Sequence, residues 1–79
     1  MTVNILAFGI VKEIFGGASL TIDLENASVD ALKAQLETQF PRLKQLASYM
    51  VAVNNDYAVA GQVIGERDEI AIIPPVSGG

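Results

Sequence analysis

The residues that most constrain this chain are its last ten, Ile70-Ala71-Ile72-Ile73-Pro74-Pro75-Val76-Ser77-Gly78-Gly79. Extended, Ile70 and Ile72 fall on one side and Ala71 and Ile73 on the other, an apolar run that reads as a buried strand. Pro74 and Pro75 end it, because proline has no N–H to give to a ladder. The residues after the strand then form a short arm joined directly to the core. The arm closes on two residues without side chains and a carboxylate, an ending that can be handed to another protein.

A buried strand needs neighbours, and the rest of the chain supplies them. Thr2 to Ile10 is a second apolar stretch, with Val3, Ile5 and Ala7 on one face and Leu6, Phe8 and Ile10 on the other. Coverage of both faces predicts a central strand there. Val11 to Phe15 predicts a single helical turn, broken by Gly16-Gly17. Ala18 to Glu25 alternates Leu20, Ile22 and Leu24 against Ser19, Thr21, Asp23 and Glu25, a half-buried strand antiparallel to the first. Ser28 reads as an N-cap with Asp30 in the first turn, opening a helix to about Phe40 whose apolar stripe is Val29, Leu32, Leu36 and Phe40. Pro41 stops it. Lys33 and Glu37 stand in the less favourable order for an ion pair. Arg42 to Ala47 predicts a short turn buried through Leu43 and Leu46. Tyr49 to Val53 and Tyr57 to Ala60 predict a hairpin around Asn54-Asn55-Asp56, and Glu66-Arg67-Asp68-Glu69 turns the chain into its last strand.

These elements predict an α+β fold, a mixed sheet of four to five strands with one main helix across one face. Their order resembles the ubiquitin-like β-grasp, in which the last strand lies centrally beside the first and parallel to it. Residues 1–79 read as one domain and 74–79 as its tail.

Composition limits the chemistry. A chain of 79 residues buries only roughly 60% of the surface its unfolded form exposes. It contains no cysteine, so packing alone must hold it and no disulfide or thiolate metal site is possible. Without histidine or cysteine, Ser19, Ser28, Ser48 and Ser77 have no imidazole to activate them, which argues against self-contained hydrolytic or acyl-transfer catalysis. Nine acidic residues against five basic ones give a formal charge of −4. Lys12, Lys33, Arg42, Lys44 and Arg67 are scattered, so nucleic acid is not the expected partner, whereas a basic protein surface is. No stretch has the length of a membrane span, and the opening residues lack the basic and apolar regions of a secretory signal. The expected compartment is the cytoplasm.

As a chemical object, the arm from Pro74 to Gly79 can reach roughly 20 Å. Its two terminal glycines keep the tip narrow and free to take any backbone conformation a channel demands. Ordering six residues costs about 6 to 12 kcal/mol, which partner contacts must offset and the two prolines reduce. A carboxylate is a poor electrophile, so the tip needs activation by another enzyme, as an acyl-adenylate, before it can accept sulfur or be joined to an amine.

The ending Ile72-Ile73-Pro74-Pro75-Val76-Ser77-Gly78-Gly79 resembles that of the small subunit of molybdopterin synthase, and the similarity covers the whole chain. Val3-Asn4-Ile5-Leu6-Ala7-Phe8 followed by Val11-Lys12-Glu13-Ile14 is similar to that family's first strand and short helix, where arginine is common at the place of Lys12. Val53-Asn54-Asn55 and Gly65-Glu66-Arg67-Asp68-Glu69-Ile70 match its hairpin turn and its approach to the last strand. Ile73 departs from the many members with phenylalanine there, though an aliphatic side chain fills the same contact.

The resemblance implies a sulfur carrier, one subunit of a heteromeric sulfurtransferase and not catalytic alone. An adenylating enzyme of the ubiquitin-activating type would use ATP to convert the carboxylate of Gly79 to an acyl-AMP, and a sulfurtransferase would replace AMP to leave a thiocarboxylate. The tail would enter the large subunit of the synthase and give its sulfur to cyclic pyranopterin monophosphate, building the dithiolene of molybdopterin. Two charged small subunits act per product, in an assembly of two small subunits on a dimer of large ones. Gly79 is then the covalent carrier, Gly78 gives slimness, and Pro74, Pro75, Val76 and Ser77 hold the arm. Phe8, Phe15, Ile73 and Val76 are candidate docking contacts. The chain itself is expected to bind no cofactor and no metal. Two alternatives share the fold and the Gly-Gly ending: the sulfur carrier of thiamine thiazole synthesis, which usually lacks the Pro-Pro-Val-Ser lead-in, and a protein modifier conjugated to lysines. A plain interaction module with an inert tail is a third.

Overall fold

A computed structural model of the protein describes residues 1–46 and 48–75. Five strands, β1 (Thr2–Ala7), β2 (Ser19–Asp23), β3 (Met50–Val53), β4 (Asp56–Tyr57) and β5 (Ile70–Ile73), form one sheet in the order β2-β1-β5-β3-β4. β5 lies between β1 and β3, parallel to β1 and antiparallel to β3. β1 pairs antiparallel with β2. Helix α2 (Val29–Gln39) buries Val29, Leu32 and Leu36 in the same apolar cluster as Val3, Ile5, Ile22, Ile70 and Ile72. The fold is the β-grasp that the order of elements predicts.

The local rules account for most of the boundaries. Ser28 caps α2, its hydroxyl oxygen accepting the Ala31 N–H at 3.1 Å, which satisfies one of the free amides of the first turn. Pro41 opens a 3₁₀ turn (Pro41–Gln45) that drives Leu43 fully into the core. Ala47, the last residue of the expected turn, lies outside the described residues. The Lys33–Glu37 pair gives way to another arrangement: Tyr49 donates its hydroxyl to Glu37 at 2.5 Å, and the Lys33 ammonium stands 5.3 Å from the centre of the Tyr49 ring. Burial, and then the adjacent Glu37 carboxylate, push the Tyr49 hydroxyl pKa well above its ordinary value. The pair pins α2 to the start of β3.

Three expectations need correction. The first strand stops at Ala7 rather than Ile10, and helix α1 (Gly9–Phe15) follows, longer than the single turn expected from Val11. Gly9 has a φ of +56°, a left-handed conformation that no strand interior uses, so the chain bends there and Ile10 goes to the helix. Gly16 ends α1 as expected, at φ +81°, with the N–H groups of Gly16 and Gly17 both donating to the Lys12 carbonyl.

The hairpin of β3 and β4, the second correction, is tighter than its composition suggests. Asn54 and Asn55, with φ of 53° and 71°, alone make a two-residue turn of the type that matches strand twist. Asp56 therefore pairs with Val53 instead of belonging to the turn. β4 ends at Tyr57 rather than Ala60, because Val59 donates its N–H to the Gln62 side chain and Gln62 returns its N–H to the Val59 carbonyl.

The third correction concerns coverage. α2 and the core lie on one face of the sheet. On β1, Val3, Ile5 and Ala7 are buried while Thr2 and Asn4 are exposed and Leu6 is only half-buried. β5 alternates in the same way, with Ile70 and Ile72 buried and Ala71 and Ile73 half-buried. The apolar character of both strands on two sides does not mean that the described residues cover both.

Candidate functional site

The uncovered face is built by pairing between strands far apart in sequence. Met50 is the cross-strand partner of Ile73, and cross-strand partners share a face. Phe8 follows Ala7 in an extended conformation, φ −128° and ψ 151°, and so projects on the side of Leu6, next to the end of β5. Phe8, Ile73 and Met50 thus form one row that runs from the residue after β1 across β5 to β3. Leu6 pairs with Ala71, Ala71 with Ala52, and Ala52 with Tyr57, which makes a second row. The exposed members are large: Phe8 is 49%, Met50 45% and Tyr57 65% accessible. Three of the six exposed large hydrophobics among the described residues thus share this face, which makes it a candidate contact surface.

The two rows lie at the end of the sheet from which the tail departs. Pro74 and Pro75 continue directly from Ile73 and are half-buried. Val76, Ser77, Gly78 and Gly79, the remaining site residues read from the sequence, lie outside the described residues. Of the other candidates, Phe8 and Ile73 are brought together on the open face. Phe15 is not with them: it packs on the core side, its ring centre 4.7 Å from that of Phe40.

Toward the other end the same face becomes polar. Thr21 donates its hydroxyl to the Asn4 side-chain oxygen at 2.8 Å, and a shallow depression beyond them is lined by Thr2, Asn4, Leu6 and the turn Glu66 to Glu69. That turn is clamped to the hairpin by Asn54, which donates Nδ2 to Asp68 at 2.9 Å and accepts the Glu69 N–H at 2.9 Å, while its own N–H donates to the Glu69 carbonyl at 2.8 Å. Gly65 N–H donates to the other Asp68 oxygen at 2.7 Å. The Gly65 amide, and then the Asn54 side chain, hold the Asp68 carboxyl below its ordinary pKa. The clamp fixes where β5 begins, and with it where the tail leaves.

Sequence reasoning placed Leu6 on the side of Phe8 without counting it as a docking contact, and missed Met50 and Tyr57 as members of this face. Alternation along each strand gives the side on which a residue stands, but the row it shares depends on how β1, β5 and β3 line up. Among the described residues no group of three acidic, histidine or cysteine side chains gathers as a metal site, and no helix is long and apolar enough to cross a membrane. What the described residues offer chemically is a binding platform at the root of the tail.

Comparison with known proteins agrees with this geometry. The model of the ThiS family matches residues 5–79. A molybdopterin synthase sulfur carrier subunit from Dictyostelium discoideum is 42% identical over 82 aligned residues, covering 96% of this chain and 94% of that one. The crystal structure of SAMP1 from Haloferax volcanii superposes with a TM-score of 0.82 at 25% identity, covering all of both chains. A chain from the complex of subunits 1 and 2 of the molybdopterin-converting factor of Helicobacter pylori has the same fold, with a TM-score of 0.71 at 24% identity and full coverage of both chains.

Proposed function

The chain belongs to the ThiS family, and on that premise we propose that it is the sulfur-carrier small subunit of a molybdopterin synthase. The observation that carries this reading is the near-full-length similarity to a carrier of that name, in a chain that ends Pro-Pro-Val-Ser-Gly-Gly.

In this reading the Gly79 carboxylate attacks the α-phosphorus of ATP on an adenylating enzyme of the ubiquitin-activating type, and pyrophosphate leaves. The terminal sulfur of a sulfurtransferase persulfide then displaces AMP, and a second thiol cleaves the resulting acyl disulfide, ending as a disulfide with the donor and leaving a C-terminal thiocarboxylate. The thiocarboxylate sulfur attacks a side-chain carbon of cyclic pyranopterin monophosphate in the large subunit and an oxygen substituent leaves that carbon. Water then cleaves the acyl C–S bond of the resulting thioester, leaving the sulfur on the pterin and returning Gly79 to a carboxylate. Two rounds supply the two sulfurs of the dithiolene. This chain holds neither ATP nor pterin; it supplies the reactive carboxylate and the means of delivering it. The sheet face of Phe8, Ile73 and Met50 binds the partner, while the arm from Pro74 to Gly79 carries the sulfur beyond that contact. The Helicobacter complex of subunits 1 and 2 supports a large-subunit partner, and the negative charge of the chain suits a basic surface on it.

The Haloferax likeness supports a second reading, because a structure of the same protein is described as a small archaeal modifier. There the activated Gly79 would be joined to a lysine amine instead of receiving sulfur. Intact-mass analysis of tagged protein captured from its own cells separates the two. A carrier appears as a fraction with one oxygen of the C-terminus replaced by sulfur, together with a large synthase subunit, and deletion of Gly79 removes the sulfur-bearing species. Isopeptide-linked proteins without that species would replace the first reading by the second.

A further inference from the structure

Three described glycines have positive φ, and they differ in what surrounds them. A Cβ built on Gly16 or Gly61 would meet nothing within 4 Å, so the backbone conformation alone accounts for glycine there. At Gly9 a second reason appears. Its Cβ would lie 3.0 Å from Cγ and 4.0 Å from Cβ of Pro74, and carbon atoms are most favourably spaced at about 3.5 to 4.0 Å. The space left by the missing side chain is the space that the first proline of the tail occupies.

This contact joins the turn between β1 and α1 to the end of β5. Pro74 is stiff, with its own φ locked, and it restricts Ile73 before it. Where its ring rests is therefore coupled to the direction in which the chain leaves the sheet. Phe8, on one side of Gly9, and Ile73, before Pro74, both belong to the outer apolar row. We propose that Gly9 is a positioning residue: the notch it leaves beside Phe8 seats the Pro74 ring and sets the departure of the tail relative to the docking face. The seat is a property of the free chain; its consequence for delivery of the Gly79 carboxylate rests on the carrier reading. A root held before docking leaves less conformational freedom to be lost in the complex.

The test uses the full chain and four variants, Gly9→Ala, Gly9→Asn, Pro74→Ala and the double Gly9→Ala/Pro74→Ala. Nuclear Overhauser cross-peaks between Gly9 Hα and Pro74 Hγ are expected in the unsubstituted chain, and their absence overturns the seat whatever the chain does. Amide shifts of α2 and β3 report whether each variant folds. The dissociation constant for a recombinant molybdopterin synthase large subunit, and kcat and KM for sulfur transfer, report the consequence. Asparagine tolerates the left-handed region but carries the same Cβ as alanine. Both Gly9 variants are therefore expected to raise the dissociation constant and KM about tenfold, with kcat within about twofold. Recovery of unsubstituted behaviour by Gly9→Asn overturns the proposal, because backbone conformation would then be the whole requirement. In the Pro74→Ala background the Gly9→Ala effect is expected to vanish, whereas an undiminished effect overturns the contact. If Gly9→Ala does not fold, Pro74→Ala decides alone: it keeps the amide shifts of α2 and β3, moves the Gly9 resonances and raises KM, or the seat is wrong. Cross-peaks in a chain that binds no large subunit support the seat and remove the carrier reading instead.

Discussion

On β5, Ile70 and Ile72 are fully buried in a cluster with Leu32 and Leu36 of α2, while Ala71 and Ile73, their immediate neighbours in sequence, stand half-buried on the opposite face. β1 repeats the contrast toward its end, with Ile5 at 0% accessibility and Leu6 half-buried on the other face, and Phe8, just past the strand on the side of Leu6, is 49% accessible. The same strands thus carry two apolar faces, one closed by the chain's own helix and one left open beside the tail. Burial of an aliphatic side chain gains about 1.5 to 3 kcal/mol. The first face has already contributed that energy to folding, and in the proposed function the second holds it for association. A mutation on the closed face should be read in stability and one on the open face in binding.

The largest effects come from the closed face. Ile5→Ala is expected to cost about 2 to 5 kcal/mol, a large fraction of the stability of a small domain, measured as a lowered midpoint in chemical denaturation. The comparison is sharpest between adjacent residues of β5. Ile72→Asp buries an unpaired carboxylate and is expected to abolish folding, whereas Ile73→Asp leaves the unfolding free energy within about 1 kcal/mol and weakens binding to a synthase large subunit by about a hundredfold. Unfolding by both substitutions would show that the second face is structural, and the distinction would fail. Met50→Ala and Tyr57→Ala test how far the open face extends: each is expected to weaken the same binding by about five- to tenfold with little change in stability. Ser28→Ala returns to the side of the helix. Loss of the cap is expected to cost about 1 kcal/mol and to leave binding unchanged.

How much of this was legible from the residues follows from the range of the interactions. Ser28, the stripe through Leu32 and Leu36, Pro41 and the alternation of Leu20, Ile22 and Leu24 act within a few residues, so the elements they define could be read directly. The central parallel pairing of β5 with β1 followed from the resemblance of the element order to the β-grasp. Phe8 to Ile10 could not be assigned correctly, because a continuous apolar run does not distinguish a strand from a strand that bends into a helix, and the deciding φ of Gly9 leaves no mark in hydropathy. Asn54-Asn55-Asp56 was equally ambiguous between a three-residue turn and a two-residue turn followed by a paired Asp56. On the candidate site, Phe8 and Ile73 were found one strand at a time. Met50 and Tyr57 join them only through pairing between distant strands, and Pro74 meets Gly9 only once β5 has taken its place.

The smallest expected effect lies at the polar end of the open face, where it tests whether the clamp on β5 is part of the fold or of the docking surface. The Asp68 carboxyl is held below its ordinary pKa first by the Gly65 N–H and then by Asn54 Nδ2. A depressed folded-state value means that the stabilisation is fully present above the unfolded-state value of about 3.9 and is lost as pH falls through the folded one. Asp68→Asn removes the ionisable group. The variant should therefore be slightly less stable than the unsubstituted chain near neutrality, and the two denaturation curves should converge as the pH is lowered below about 3.9. Parallel curves across that range would mean that the carboxylate contributes nothing to the clamp. Because Asp68 stands away from the row of Phe8, Ile73 and Met50, binding to the large subunit should be unchanged at neutral pH. A loss of affinity there, with stability intact, would move the boundary between the two uses of the sheet and make the acidic turn part of the docking surface.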